Sequence, residues 1–328
     1  MKNRYHKKLF LGPMSKNVVD AIIDFNKIND NFFGIIPSRR QIECAELGSG
    51  YVNNWSTKDF KKYVSDSLIL RDHGGPNQGK KEDDGKLSFL ADINSGIDFL
   101  HIDPWKTCKS IDEGILKTTQ LIKYCLSINS DCRFEVGTEE AIYQYSPGDL
   151  EKIIMTVQKS LGSKFDNIVY CVVQSGTSIR GIENTGNFNY KKSKDMSAIC
   201  KKFGILAKEH NTDYLSNEAI KLRINAGIDS LNIAPELGVI ETCVILKELD
   251  NHRQLKEEFL NMCNNSKKWK KWVDEKPDNK MIARICGHYL FSTKEFKNIK
   301  MGLTCSLDKT IKAKITEKLV SLSDVWKV

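Results

Sequence analysis

The chain has 328 residues, of which 40% are apolar and 28% charged, and its 50 basic against 42 acidic side chains leave a net charge of +8. That length suits one α/β barrel or two smaller domains. No apolar run reaches the length of a membrane span and the N-terminal MKNRYHKKLF lacks the apolar core of a secretion signal, so the expected location is cytoplasmic, with no membrane contact. The basic residues are interspersed with acids, which argues against a nucleic-acid partner and leaves mild attraction for an anionic substrate. The densest basic cluster, Lys267–Trp272, reads as a solvated helix face with its tryptophans packed inward. None of the ten cysteines forms a CxxC pair, so they read as small buried hydrophobes in a reducing compartment.

Eight short apolar runs organise the chain, most of them followed by a helical pattern. The first is Leu9–Gly12, ending at Pro13, with helix Lys16–Ile28 behind it. The second is Phe33–Ile36, followed by a helix through Val64 for which Thr57 is the expected cap. The third opens LILRDHGGPN, Leu68–Asn77, in which the apolar residues lead to the adjacent acid and imidazole Asp72-His73 before two glycines and a proline turn the chain away. The fourth is Asp98–Ile102, ending at Asp103-Pro104, with helix Ile111–Ser127 next. The fifth is Cys132–Val136, then helix Pro147–Leu161 with Ser146 as cap.

The sixth run, Ile168–Val173, leads into the glycine-rich segment Ser175–Asn189, and helix Lys194–Phe203 follows. The seventh, Ile205–Ala207, ends at Glu209-His210; Ser216 caps helix Asn217–Ala226, which Gly227 stops. The eighth is Ser230–Ile233, and the remainder is largely helical. Strands and helices alternating at this spacing imply parallel strands with crossover helices. Eight of them predict a (β/α)8 TIM barrel over residues 1–237, with a mainly helical extension over 238–328 packed on it. The rival, an open doubly wound sheet, lacks its expected GxGxxG after the first strand.

Side chains alternate along a strand, so His101 and Asp103 share a face, as do Arg133 and Glu135, Lys208 and His210, and Ser230 and Asn232. This polar parity points at the barrel's C-terminal mouth, where such folds place their chemistry. His73 and His210 are candidate ligands for a divalent metal ion, zinc foremost and manganese or cobalt as alternatives. Gln174 and Glu135 are candidate oxygen ligands, Glu135 equally a base or a partner of Arg133, and Gln174 equally a hydrogen bond to a substrate hydroxyl. Asp72 and Asp103 are candidate proton carriers, with a turn cap before Pro104 as the structural alternative for Asp103. Lys208 is read as a salt bridge or substrate-anion contact ahead of a Schiff-base amine. The segment Ser175–Gly186, which contains Arg180, suits either a phosphate wrap or a flexible lid. Asn211, Asp213 and Asn232 join Lys208 and Arg180 as candidate substrate contacts. His101 reads as an interior hydrogen-bonded residue, and His6, His252 and His288 have no partner pattern.

The segments ILRDHGGPN, FLHID, FEVGTE, VVQSGT, EHNTDY and LNIAPEL occur in family order between about Ile36 and Ala234. In them the chain resembles the non-catalytic subunit family of class II tagatose-bisphosphate aldolase and the related sugar 4-epimerases, and more distantly the catalytic class II aldolases. The resemblance implies a metal site on His73 and His210, with Asp72 handling the proton of a C4 hydroxyl. The catalytic aldolases carry a further ligand histidine in a Gly-Thr-X-His setting, but here the residues are Gly176-Thr177-Ser178-Ile179-Arg180, and Gln174 is the expected substitute. Two readings follow. One is a metal-dependent epimerase or aldolase acting on a ketose or ketose phosphate by opening and re-forming the C3–C4 bond. The other is a helper subunit that stabilises a separate aldolase and does no chemistry; the expected assembly is with such an aldolase subunit or as a homo-oligomer.

Overall fold

A computed structural model describes residues 8–327, so His6 lies outside the described residues. Eight parallel strands form one sheet in the order two-one-eight-seven-six-five-four-three. They are Lys8–Leu11, Phe33–Ile35, Leu70–Gly74, Phe99–Ile102, Phe134–Val136, Ile168–Val172, Leu206–Glu209 and Ser230–Ile233. Parallel bridges Ile35–Ile69 and Ser38–Asp72 join the second strand to the third and bring the sheet round to closure. The protein is therefore a (β/α)8 barrel, and the doubly wound alternative falls away.

Strand alternation divides the apolar residues into two cores. Leu9, Leu11, Ile102, Phe134, Val173 and Ile233 point outward into a large core shared with the helices. Phe10, Leu70, Phe99 and Tyr170 point inward and fill the barrel's lower interior, joined by Ile36. The inward parity thus changes along several strands from apolar at the base to polar at the mouth: Phe99 gives way to His101, and Leu70 to Asp72. The barrel has a solid floor and a charged upper layer.

Local departures from the sequence expectations have physical reasons. Ser56, not Thr57, caps the helix Thr57–Val64, its side chain accepting the amide of Asp59. A helix at Lys86–Ser95 fills the third crossover, and its small amphipathic contrast explains why periodicity alone did not show it. Asn189 caps the sixth crossover helix, which starts at Tyr190. The glycine-rich segment folds back as a short antiparallel hairpin, Ile179–Arg180 with Glu183–Asn184. After strand eight come helices Pro235–Leu249, Arg253–Ser266, Asn279–Cys286, Lys294–Met301 and Leu307–Trp326. The last of them lies against the first helix, where Asp308 accepts from Asn17 at 3.0 Å. In the basic cluster Trp269 is buried and Trp272 donates to the Tyr289 hydroxyl at 3.1 Å. All ten cysteines are free thiols.

Gly34 is where the floor leaves no room. A Cβ there would lie 2.4 Å from the Phe10 ring. Gly34→Ala is expected to destabilise the fold by about 1–3 kcal/mol, the usual cost of overpacking. Urea unfolding checks this, with a lowered midpoint at unchanged slope. Phe10→Leu in the same chain should recover part of the loss, because the two side chains compete for one volume.

Candidate functional site

The mouth is assembled mainly from the ends of strands three, four, five and seven. Strand three carries an irregularity between Arg71 and Gly74, where its register against strand four shifts. His73 sits in it with φ of 43°, a left-handed conformation a β-branched or bulky side chain rarely adopts. The bulge explains how neighbours on one strand, Asp72 and His73, both reach the mouth although regular alternation would send them to opposite faces. The outward-facing Arg71 holds the strand from behind: fully buried, it donates to Asp92 at 2.8 Å and to the Ile42 carbonyl at 2.7 Å. Arg39 ties down the exit loop through the Gly75 carbonyl at 2.8 Å and Glu43 at 2.6 Å.

Two histidines are oriented by buried carboxylates. His73 Nδ1 lies 2.6 Å from Asp103 Oδ2, and His210 Nε2 lies 2.6 Å from Glu135 Oε1. Each carboxylate takes the hydrogen of one ring nitrogen and turns the other nitrogen to the mouth, an arrangement typical behind metal-binding imidazoles. His73 Nε2 then faces Glu139 Oε1 at 2.7 Å, and His210 Nδ1 lies 3.9 Å from that same oxygen. Asp72 Oδ1 is 3.8 Å from His73 Nε2 and 3.9 Å from the Nδ1 atoms of His101 and His210, and has no hydrogen-bond partner. Exposure sorts the roles: Asp72, His73 and Glu139 keep about a fifth of their side chains accessible (20%, 18% and 17%), whereas Asp103, Glu135 and Lys208 are sealed at 0%.

The carboxylates outnumber the fixed positive charge in contact with them, and the protonation equilibria show it. Burial disfavours the imidazolium of His73, but Asp72, Asp103 and Glu139 outweigh it and raise the pKa well above the ordinary value. Burial likewise opposes a charged His210, yet Glu135, Glu139 and Asp72 push it up to about 9. Burial would raise the carboxyls, but Lys208 and the histidines hold Glu135 far below its ordinary value, and His210 and His73 do the same for Glu139. Asp72 is also held low, burial being overcome chiefly by His73 and His101. The mouth is a seat for positive charge, which protons on imidazoles or a dication can supply.

Of the residues expected from sequence, the mouth brings together Asp72, His73, Asp103, Glu135, Lys208 and His210. Asp103 and Glu135 stand behind the histidines: both Glu135 oxygens are engaged, by His210 and by Lys208 Nζ at 2.6 Å. Lys208 is pressed against the Phe10 ring, 4.1 Å from its centroid, and burial lowers its pKa despite Glu135. Asn211 donates to Glu139, and Asn232 Oδ1 is buried without a partner.

Three of the expected residues are engaged elsewhere. Gln174 does not turn to the histidines. Its oxygen accepts the Tyr145 amide at 3.0 Å, and its nitrogen donates to the Thr138 and Tyr143 carbonyls at 3.1 and 2.6 Å, so it secures the loop after strand five. Asp213 accepts the amides of Ala234 and Glu236 at 2.8 and 2.9 Å, fastening the start of helix Pro235–Leu249. Arg180 lies exposed on the hairpin, paired with Asp274. The hairpin is pinned, not loose: Asn184 donates to the carbonyls of Asn211 and Asp213 at 3.0 and 3.1 Å, and Gly181 N to Trp272 O at 2.9 Å.

It is Glu139, not Gln174, that stands beside the two histidines. Among the described residues, His73, Glu139 and His210 form one group able to hold a cation, and two others overlap it: Asp72, His101 and His210, and His73, His101 and Asp103. The available signal was the second acid of FEVGTE, at the start of a loop that leaves the barrel at Gly137. His288 is fully buried, with neither ring nitrogen hydrogen-bonded.

No family model matches the chain, and no curated protein matches it. Solved structures do. A Sinorhizobium meliloti 1021 protein described as a probable tagatose 6 phosphate kinase superposes with a TM-score of 0.77 over 98% of this chain and 99% of its own, at 14% identity. The fructuronate-tagaturonate epimerase UxaE of Cohnella laeviribosi gives 0.63 over 98% and 81%, at 10% identity. The fructose-bisphosphate aldolase of Campylobacter jejuni gives 0.57 over 99% and 91%, at 12% identity. The neighbours are of the kind that the segments between Ile36 and Ala234 point to, and what they share with this chain at these identities is the barrel fold.

A pH prediction follows for protein stripped with chelator. His210 has a folded value of about 9 against an ordinary 6.5, so its contribution to stability is complete below about pH 6.5 and lost as pH rises through 9. His73 shifts in the same direction. Thermal unfolding midpoints should therefore fall between pH 6.5 and 9, and fall less steeply in His210→Gln.

Proposed function

We propose that the chain is a divalent-metal-dependent sugar epimerase or aldolase that opens and re-forms the C3–C4 bond of a ketose or ketose phosphate. One observation carries this reading: two histidines, each held by a buried carboxylate, turn their remaining nitrogens toward the same space as Glu139 and the unpartnered oxygen of Asp72. Imidazole nitrogen with carboxylate oxygen is a donor set suited to zinc and its neighbours. His73, His210 and Glu139 would hold the ion. When bound, it supplies positive charge that polarises a carbonyl and stabilises an enediolate. The similar structures of an epimerase and an aldolase support the choice of chemistry.

The chain's own residues then have separable tasks. Asp72 keeps 20% of its side chain exposed, and its Oδ1, buried beside the histidines, has no hydrogen-bond partner, so it is the group to take the C4 hydroxyl proton. As that proton leaves, C4 becomes an aldehyde carbon, the C3–C4 pair moves toward C2, and the C2 carbonyl oxygen becomes anionic. Re-addition to the other aldehyde face, with Asp72 returning the proton, inverts C4; departure of the aldehyde is cleavage. Asp103 and Glu135 keep the imidazoles in one tautomer, and Lys208 neutralises Glu135 beneath them. Asn232 offers its buried amide to a substrate hydroxyl. Lys208 is a poor Schiff-base candidate, because its amine is sealed between Glu135 and the Phe10 ring.

Metal analysis of the purified chain tests this reading. About one divalent ion per chain is expected, lost in His73→Ala and in His210→Ala. Asp72→Asn should keep the ion yet lower turnover of a converted ketose by roughly 10²–10⁴-fold, the usual worth of a positioned acid–base group. A wild-type chain that takes up no zinc, manganese or cobalt contradicts the proposal and leaves the helper-subunit reading.

A further inference from the structure

His101 stands on strand four, between the two strand exits that carry Glu139 and His73. It is fully buried, and both ring nitrogens are engaged. Nε2 hydrogen-bonds the Gly137 carbonyl at 3.0 Å, and Nδ1 accepts the backbone amide of His73 at 3.2 Å. A neutral ring with its hydrogen on Nε2 satisfies both bonds at once. The first bond grips the chain where it leaves strand five, at a glycine with φ of 101°, and Glu139 follows shortly after. The second grips the chain in the strand-three bulge, at a histidine with φ of 43°. A non-glycine residue in that region is strained, and it persists only where its surroundings hold it.

We infer that His101 is a positioning residue: its imidazole ties the left-handed backbone of His73 to the Gly137 exit and so fixes the distance between His73 and Glu139. The inference rests on the metal reading above for its functional meaning, but the backbone clamp itself does not. Without the acceptor at Nδ1, the His73 amide loses its partner inside the barrel and the bulge relaxes. His73 Nε2 then leaves the space it shares with Glu139 and His210. The ring lies 5.2 Å from that of His73 and 5.1 Å from that of His210, so it also packs the space between the two ligand imidazoles.

Three substitutions separate the parts. His101→Asn places an amide oxygen near Nδ1 and keeps an acceptor for the His73 amide. His101→Gln places its amide near Nε2 and keeps a donor for Gly137. His101→Leu keeps volume and loses both. Cobalt(II) affinity by chelator competition, with its visible spectrum, is the first readout; amide hydrogen exchange at His73 and around Gly137–Glu139 in the cobalt-free protein is the second. His101→Leu should weaken cobalt binding roughly 10–100-fold, as loss of a group supporting metal ligands does. It should also speed exchange at both segments. His101→Asn should recover most of the loss and His101→Gln less, and this comparison stands if the Leu variant does not fold. Wild-type affinity and exchange in His101→Leu, or Asn and Gln variants no better than Leu, overturn the inference. If the wild type binds no cobalt, the metal reading fails; faster His73 exchange in His101→Leu and His101→Gln than in His101→Asn still upholds the clamp, and unchanged exchange removes it.

Discussion

Two buried carboxylates set the rest of the mouth in place. Asp103 and Glu135 each bind one nitrogen of a histidine at 2.6 Å, and the opposite nitrogen of each ring is thereby aimed into the barrel. Neither carboxylate is accessible to solvent. Buried charge of this kind is costly unless paired and hydrogen-bonded, and the pairing here is supplied by imidazoles, by Lys208 and by the demand for further positive charge at the top of the barrel. That demand raises the pKa values of both histidines.

The scaffold below permits this concentration of charge. Phe10, Leu70, Phe99 and Tyr170 close the floor, so the polar layer rests on packed rings. Behind strand three, Arg71 and Arg39 hold the loops that a bulge and a left-handed histidine would otherwise loosen. A bulge at that point has a specific effect: it lets consecutive residues, an acid and an imidazole, serve one cavity.

Much of this was legible in the sequence. Apolar runs alternating with helical periodicity gave the barrel, and strand parity put His101, Glu135, Lys208 and His210 on the inner face, because burial imposes both patterns. The Asp72-His73 pair was visible as a motif, although the bulge that makes it work was not, since regular alternation would have sent the two apart. Glu139, Gln174, Asp213 and Arg180 were harder for a common reason. Each lies beyond the last paired residue of a barrel strand, where the barrel's alternation no longer says which way a side chain turns. Gln174 and Asp213 are taken up by nearby backbone amides and carbonyls, and Glu139 enters the mouth only because its loop folds back over it. His101 read correctly as hydrogen-bonded, but which two backbone groups it joins depends on tertiary structure.

Carbon–carbon bond cleavage and simple proton transfer at C4 leave different isotopic records, and this separates them most directly. Ketoses and ketose phosphates would be incubated in D2O with the cobalt- or zinc-loaded chain, and the C4 epimer examined by NMR. Retro-aldol opening and re-closure at the Asp72 site predicts an epimer with protium at both C3 and C4, since neither C–H bond is broken. Deuterium at C4 of the epimer, or no conversion of any ketose by a chain that holds its metal, would contradict it.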